Sequence, residues 1–329
     1  MIDSMIIYTG QTALEFWNRY RRLKGAMDRD VQRYVDIDLP VLDMRELPHE
    51  SPRVSDAVFE SEEFRESLPI EVMVRDHACS VRSEKVVSRI RNHRFPKASF
   101  YEISDGISVI SPELLFVEMA SRLGLIELLL LGYELAGSYE LDPGSIDGFL
   151  KAVPLLSHRA LDKVMRGLKG YNGLRRARAA ARYVLEHSAS PMETLVALTL
   201  SLPRRLGGLG VPKPSLNHRI EIMPGSCPGY DKSAIVFDLF WESCALGLEY
   251  DSDAHHASIA KLHSDSKRRN AARSLGFDVL SMTSVEYAND ACIIRMAEQV
   301  MRKHGRYMRR LDLLERSRMR KLRNDLRRE

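Results

Sequence analysis

The sequence predicts an α/β protein: a mixed sheet with flanking helices in the C-terminal third, preceded by an α+β domain and a helical linker. Three observations predict it. Residues 189–305 pass through helix-type and strand-type patterns in the order α-β-β-β-α-β-α. Residues 28–111 break into short apolar runs separated by Pro, Asp and Ser. Residues 160–187 are basic and helical in period, with glycines at 167, 170 and 173. A chain of 329 residues is long enough for two modest domains with separate cores. The expected division is an α+β domain over 1–150, a basic helical linker over 151–188, an α/β domain over 189–305 and a basic helical tail over 306–329.

Thr9 precedes Ala13-Leu14-Glu15-Phe16-Trp17 at helical spacing and predicts the first helix. Val35–Val41, Ile70–Val74 and Ile107–Ile110 suit short strands, in an order the sequence leaves open. Ser111-Pro112-Glu113 supplies a cap, a proline at the first helical position and an early acid, so a helix follows and stops near Gly124. Leu125 to Leu135 predicts a second apolar helix, and Gly137 to Gly148 a closing loop. In the last third, Ser190-Pro191-Met192-Glu193 opens a helix ending near Pro203. Arg219–Met223, Ala234–Phe240 and Ala245–Asp251 read as strands, His255–Leu275 as a helix and Phe277–Met282 as a strand. Thr283-Ser284-Val285-Glu286 then caps a long helix to about His304.

Hydrophobic content of 44% and charged content of 29% exclude a disordered or fibrous chain. The start, Met1-Ile2-Asp3-Ser4, lacks a basic flank and a signal-length apolar segment, and Leu123–Ala136 is short for a membrane span and broken by Glu127 and Glu134. A cytoplasmic protein without membrane contact is expected. Cys79, Cys227, Cys244 and Cys292 are scattered without CxxC pairs, which suggests free thiols. The net charge of +4 is uneven: Arg302–Glu329 holds 12 Lys/Arg against 4 Asp/Glu. Clustered basic charge is what a polyanion such as nucleic acid requires, a solvated amphipathic helix being the alternative.

The chemistry-bearing pattern lies on Ala234–Phe240 and Ala245–Asp251. A tight turn near Ser243-Cys244 makes opposed residue numbers sum to about 487, which sets Asp238 across from Glu249. Alternation then puts Ile235, Phe237, Leu239, Leu246, Leu248 and Tyr250 on one face and Asp238, Glu249 and Asp251 on the other. Like charges about 5 Å apart across a sheet destabilise it unless a cation offsets them. An oxygen-only set suits Mg²⁺ or Mn²⁺, with Asp238 and Glu249 as ligands and Asp251 completing or orienting the site. The rival is a solvated face whose acids pair with Lys or Arg. His255 or His256, just past the hairpin, would assist proton transfer, and Lys267, Arg268 and Arg269 would hold phosphate; their bland use is as a polar helix start and a solvated helix face. Glu193 reads first as the acid of a capping box, with an inward turn toward the metal site as the second reading.

These residues resemble the very-short-patch-repair (Vsr-like) branch of the PD-(D/E)xK nucleases. The resemblance rests on Ser190-Pro191-Met192-Glu193-Thr194, Gly210-Val211-Pro212-Lys213-Pro214-Ser215-Leu216-Asn217, Asp238-Leu239-Phe240-Trp241, Leu248-Glu249-Tyr250-Asp251, His255-His256, Asp265 with Arg268 and Arg269, and Gly276-Phe277-Asp278-Val279-Leu280. It spans about a third of the chain and implies a restriction-endonuclease-like α-β-β-β-α-β core with a mixed sheet, a divalent metal and phosphodiester hydrolysis, Asp238 and Glu249 being the ligand pair. Two positions depart from the pattern: Asp251 stands where the wider superfamily has a lysine, and Ser252 where a glycine is common. The first domain resembles the AbiEi type of antitoxin and transcriptional regulator through Gly106-Ile107-Ser108-Val109-Ile110-Ser111-Pro112-Glu113. That resemblance implies DNA binding and a partner protein in a toxin–antitoxin or defence system. The expectations are therefore a Mg²⁺-dependent DNA endonuclease or, alternatively, a non-catalytic DNA-binding regulator that keeps the nuclease fold as a scaffold.

Overall fold

The computed structural model describes residues 5–27, 39–48, 69–223, 225–227, 230–251 and 259–327. The chain divides into two compact units, Met1–Val184 and Leu185–Glu329, each with mixed α/β structure.

The first unit runs β1 (Ile6–Tyr8), α1 (Gly10–Met27), β2 (Ile70–Val74), β3 (Arg82–Ser83), β4 (Val86–Ile90), β5 (Phe100–Ser104) and β6 (Ile107–Ile110). It continues with α2 (Pro112–Met119), α3 (Leu125–Ala136), β7 (Tyr139–Leu141), β8 (Phe149–Lys151), α4 (His158–Gly167) and α5 (Leu174–Ala181). Its main sheet has the order β3-β4-β2-β1-β6-β5, with β1–β6 and β2–β4 parallel and the other pairs antiparallel. The expected strand at Val35–Val41 lies outside the described residues except near Val41, which bridges Tyr101. The expected cap forms: Ser111 Oγ accepts the Leu114 N–H at 3.2 Å.

Two expectations change. The closing loop over 137–148 gives way to the antiparallel hairpin β7–β8. The linker over 151–188 is largely part of the first unit, because α4 buries Leu161, Val164 and Met165 and packs on α2, while α5 packs on α2 and α3. The first core also holds charges: Glu118 is fully buried and takes hydrogen bonds from Arg91 (2.9 Å) and Arg122 (3.0 Å), and Glu71 pairs with Arg89 (2.6 Å) and Arg122 (2.7 Å). A buried carboxylate is tolerable when charged donors replace the lost water in this way.

The second unit follows the expected order: α6 (Pro191–Ser201), β9 (Ser215–Glu221), β10 (Ala234–Trp241), β11 (Leu246–Asp251), α7 (Ile259–Ser274), β12 (Asp278–Thr283), α8 (Ser284–Ala288), α9 (Asp290–Lys303) and α10 (Leu313–Leu326). The sheet is mixed, β12-β11-β10-β9, antiparallel except for β11–β12. The single long helix expected after Thr283 is two, because Asn289 accepts the Ala291 and Cys292 N–H groups with its own side chain and restarts the helix. The tail is no appendage either. Met319, Leu322 and Leu326 are buried where α10 packs on α6, Arg309 pairs with Glu315 at 2.6 Å, and Arg323 joins Asp290 while its guanidinium lies 5.0 Å from the Tyr287 ring.

Ile235, Phe237 and Phe240 form the core beside β10 with Ile222, Cys227, Ala271 and Ala272. No helix among the described residues is long and apolar enough to cross a membrane, and the four cysteines are free thiols. Gly247 is required by this core, since a Cβ there would collide with the Phe237 ring, itself stacked on Phe240 at 5.3 Å. Gly247→Ala should therefore cost about 1–3 kcal/mol, read as a lower urea midpoint at unchanged slope.

Candidate functional site

The hairpin register agrees with the spacing argument: Leu239 faces Leu248, Phe240 faces Gly247 and Trp241 faces Leu246. The turn is a single 3-10 turn, Glu242–Cys244, closed by Ala245 at φ 50°. Strict alternation, however, fails on β10. Phe237 and Phe240 stack with an interplanar angle of 8° in one core cluster, so the pleat slips between them. The β9–β10 ladder pairs Phe237 with His218 and Leu239 with Leu216 but skips Asp238, opposite which Asn217 adopts φ 45°. Irregularities of this kind re-aim side chains and tend to lie beside functional sites.

The slip puts Asp238 at the centre of a group drawn from three elements. Its Oδ2 accepts the Tyr250 N–H of β11 at 2.7 Å. Burial pushes its carboxyl up, against the Tyr250 N–H and the Arg268 guanidinium, which favour the charged form. Glu193, in the first turn of α6, is buried and pushed up to about 7, first by desolvation and then by the Asp238 charge. The capping reading of Glu193 is met in part, since the Ala189 N–H rather than that of the cap residue Ser190 reaches its carboxylate. It serves the helix start, with Oε2 accepting the Ala189 N–H at 2.8 Å and Oε1 the Ser190 hydroxyl at 3.0 Å, and it faces Asp238 electrostatically.

Asn217, quoted within the resemblance, is the member to which the sequence reading gave no role. Its amide donates to Glu193 Oε2 at 2.6 Å and to the His187 carbonyl at 2.8 Å, bridging the entry of α6 to β9. Its left-handed backbone, which asparagine tolerates better than most residues, accompanies that reach, and no local spacing announces it.

Glu249 is buried on β11, but its Oε2 takes the Arg268 Nη2 at 2.9 Å. Arg268, expected to hold phosphate, is here an acid's partner. Three consecutive helical residues are spread about 100° apart, so Lys267, Arg268 and Arg269 cannot share one face: Lys267 is exposed, and Arg268 and Arg269 are half-buried. Asp251 ends β11, half-buried and paired in parallel with Thr283. His255 and His256 lie outside the described residues, as does the Asp265 side chain. Among the described residues, no three His, Cys, Asp or Glu side chains form a group fit to hold a metal ion.

Comparison with models of known families, with curated proteins and with solved structures finds no match. Function therefore rests on the group itself: the buried Glu193 and the half-buried Asp238, beside an Arg268–Glu249 ion pair.

An acid whose pKa is raised on folding binds its proton more tightly in the folded state. Its stabilising contribution is present below the ordinary value of 4.5 and is lost as the pH rises toward about 7. In EDTA, urea stability should fall across that window by up to about 3 kcal/mol, and Glu193→Gln should flatten the fall. An unchanged pH profile in the glutamine variant would contradict the placement of Glu193.

Proposed function

We propose that the second unit is a divalent-cation-dependent phosphodiester hydrolase acting on DNA. The observation that carries the reading is the grouping of three acids from a helix and two adjacent strands, Glu193 held by Asn217, Asp238 by the Tyr250 N–H and Glu249 by Arg268. Acids gathered in this way are stabilised by a shared proton or by a cation. Mg²⁺ suits the second course, since it keeps several waters and needs only one or two carboxylates alongside substrate phosphate.

Asp238 and Glu193 would hold the ion, with water at its remaining positions. The ion, when bound, would supply an acidic water and a charge on the phosphoryl oxygens. Asn217 and the Ala189 N–H keep Glu193 oriented, and the Tyr250 N–H does the same for Asp238. Arg268 sits where its guanidinium could exchange a carboxylate oxygen for a phosphate oxygen on the same N–H groups. The restriction-endonuclease-like identity of the core and the roles of His255, His256, Lys267, Arg269 and Asp251 belong to this proposal.

One observation favours a second reading, that of a non-catalytic DNA-binding regulator. Arg268 already neutralises Glu249, which is how a nuclease scaffold without its metal would balance the charge. Supercoiled plasmid nicking with Mg²⁺ or Mn²⁺ decides between them. The hydrolase reading expects nicking that falls roughly a hundredfold or more in Asp238→Asn while duplex binding persists. Duplex binding without nicking under either metal would establish the regulator instead.

A further inference from the structure

The helix pair α4–α5 of the first unit carries charge that neither the core nor the carboxylate site uses. Residues 158–182 contain eight Lys/Arg and one Asp/Glu, and all eight cations are exposed. The apolar side of each helix is committed to the core through Leu161, Val164, Leu174 and Ala177, which fixes the outward direction of the basic side. The single acid, Asp162, is paired with Arg166. Arg159, Lys163, Lys169 and Arg175 have no carboxylate partner among the described residues.

Between the helices lies a cleft of about 360 Å³ lined by His158, Asp162 and Met165 from α4, by Arg178 from α5 and by Arg182 at its C-terminal cap. Arg178 is pre-positioned there, since its Nη2 donates to the Met165 carbonyl at 2.7 Å. A guanidinium held by one hydrogen bond loses less freedom when its remaining N–H groups meet a phosphate.

We infer that this cleft and its basic rim are a binding surface for the phosphodiester backbone of duplex DNA, one phosphate seated between Arg178 and Arg182 and neighbouring phosphates meeting Lys163 and Arg175. An exposed basic side on two rigidly held helices, with no exposed aromatic of its own for base stacking, fits a duplex backbone better than an unstacked single strand. The surface takes DNA as the ligand from the proposed function but concerns the first unit alone.

Anisotropy of a labelled duplex of about 30 base pairs against the full chain, in EDTA between about 50 and 200 mM salt, tests it. The variant Lys163→Ser/Arg175→Ser/Arg178→Ser/Arg182→Ser should bind at least tenfold more weakly, its log–log salt slope reduced by about 0.9 for each phosphate that the protein no longer neutralises. Lys85→Ser/Lys151→Ser, which removes charge elsewhere on the same unit, should bind as the parent chain does. If the fourfold variant fails to fold, Lys163→Ser/Arg175→Ser carries the test, both side chains being exposed. Equal affinity and slope in the variant would overturn the assignment, and so would tighter binding to single-stranded RNA of the same length. Loss of binding to phosphatidylserine vesicles in the variant, with no duplex binding by the parent, would reassign the surface to membranes. Because EDTA prevents cleavage, absence of nicking by the second unit leaves this result intact. Nicking that persists while the variant binds duplex unchanged overturns this inference and spares the other.

Discussion

The burial of Glu193 against Asp238 is the constraint around which the second unit is arranged. Neighbouring acids repel each other, and Glu193 loses its hydration fully and Asp238 in part, so the chain must supply what the solvent did. It does so from four directions: the Ala189 N–H and the Ser190 hydroxyl at the start of α6, the Asn217 amide from β9 and the Tyr250 N–H from β11. None of these donors carries a full charge. The residual tension, desolvation above all, is what raises both carboxyls.

Arg268 relieves part of that tension from outside the pair. It holds Glu249 and lowers the cost of charging Asp238, so one guanidinium serves two acids on adjacent strands. A ligand with its own negative charge would compete with Glu249 for it. The two proposed readings therefore differ in what Arg268 would hold, not in which residues are present.

Much of the second unit was legible in the sequence because its cues are local. Ser190-Pro191 and Thr283–Glu286 are caps that need only four residues to be recognised, and the β10–β11 register follows from turn length alone. The slip at Asp238 was not legible, since it depends on Phe237 and Phe240 both being drawn into the core under α7 and on Asn217 of the preceding strand. The Arg268–Glu249 pair was not legible because a run of three cations looks uniform in sequence, whereas a helix turns each by about 100° and carries only one of them to β11. Asn289 hid in a continuous apolar period, which reports the buried face and says nothing of a side chain that recaps the backbone. In the first unit, the Glu118–Arg91–Arg122 group joins residues from separate elements, so no window of sequence contains it.

The packing of α10 against α6 has a practical bearing on how the chain can be dissected. Its apolar side covers the helix that carries Glu193, and Arg323 ties it to Asp290 at the head of α9. A fragment cut after residue 305 would lay bare the back of α6 and strand Asp290 without its guanidinium, so a shortened piece that precipitates or loses function would report a missing wall of the core. Pieces meant to stand alone belong at the boundary between Val184 and Leu185, with the last helix kept.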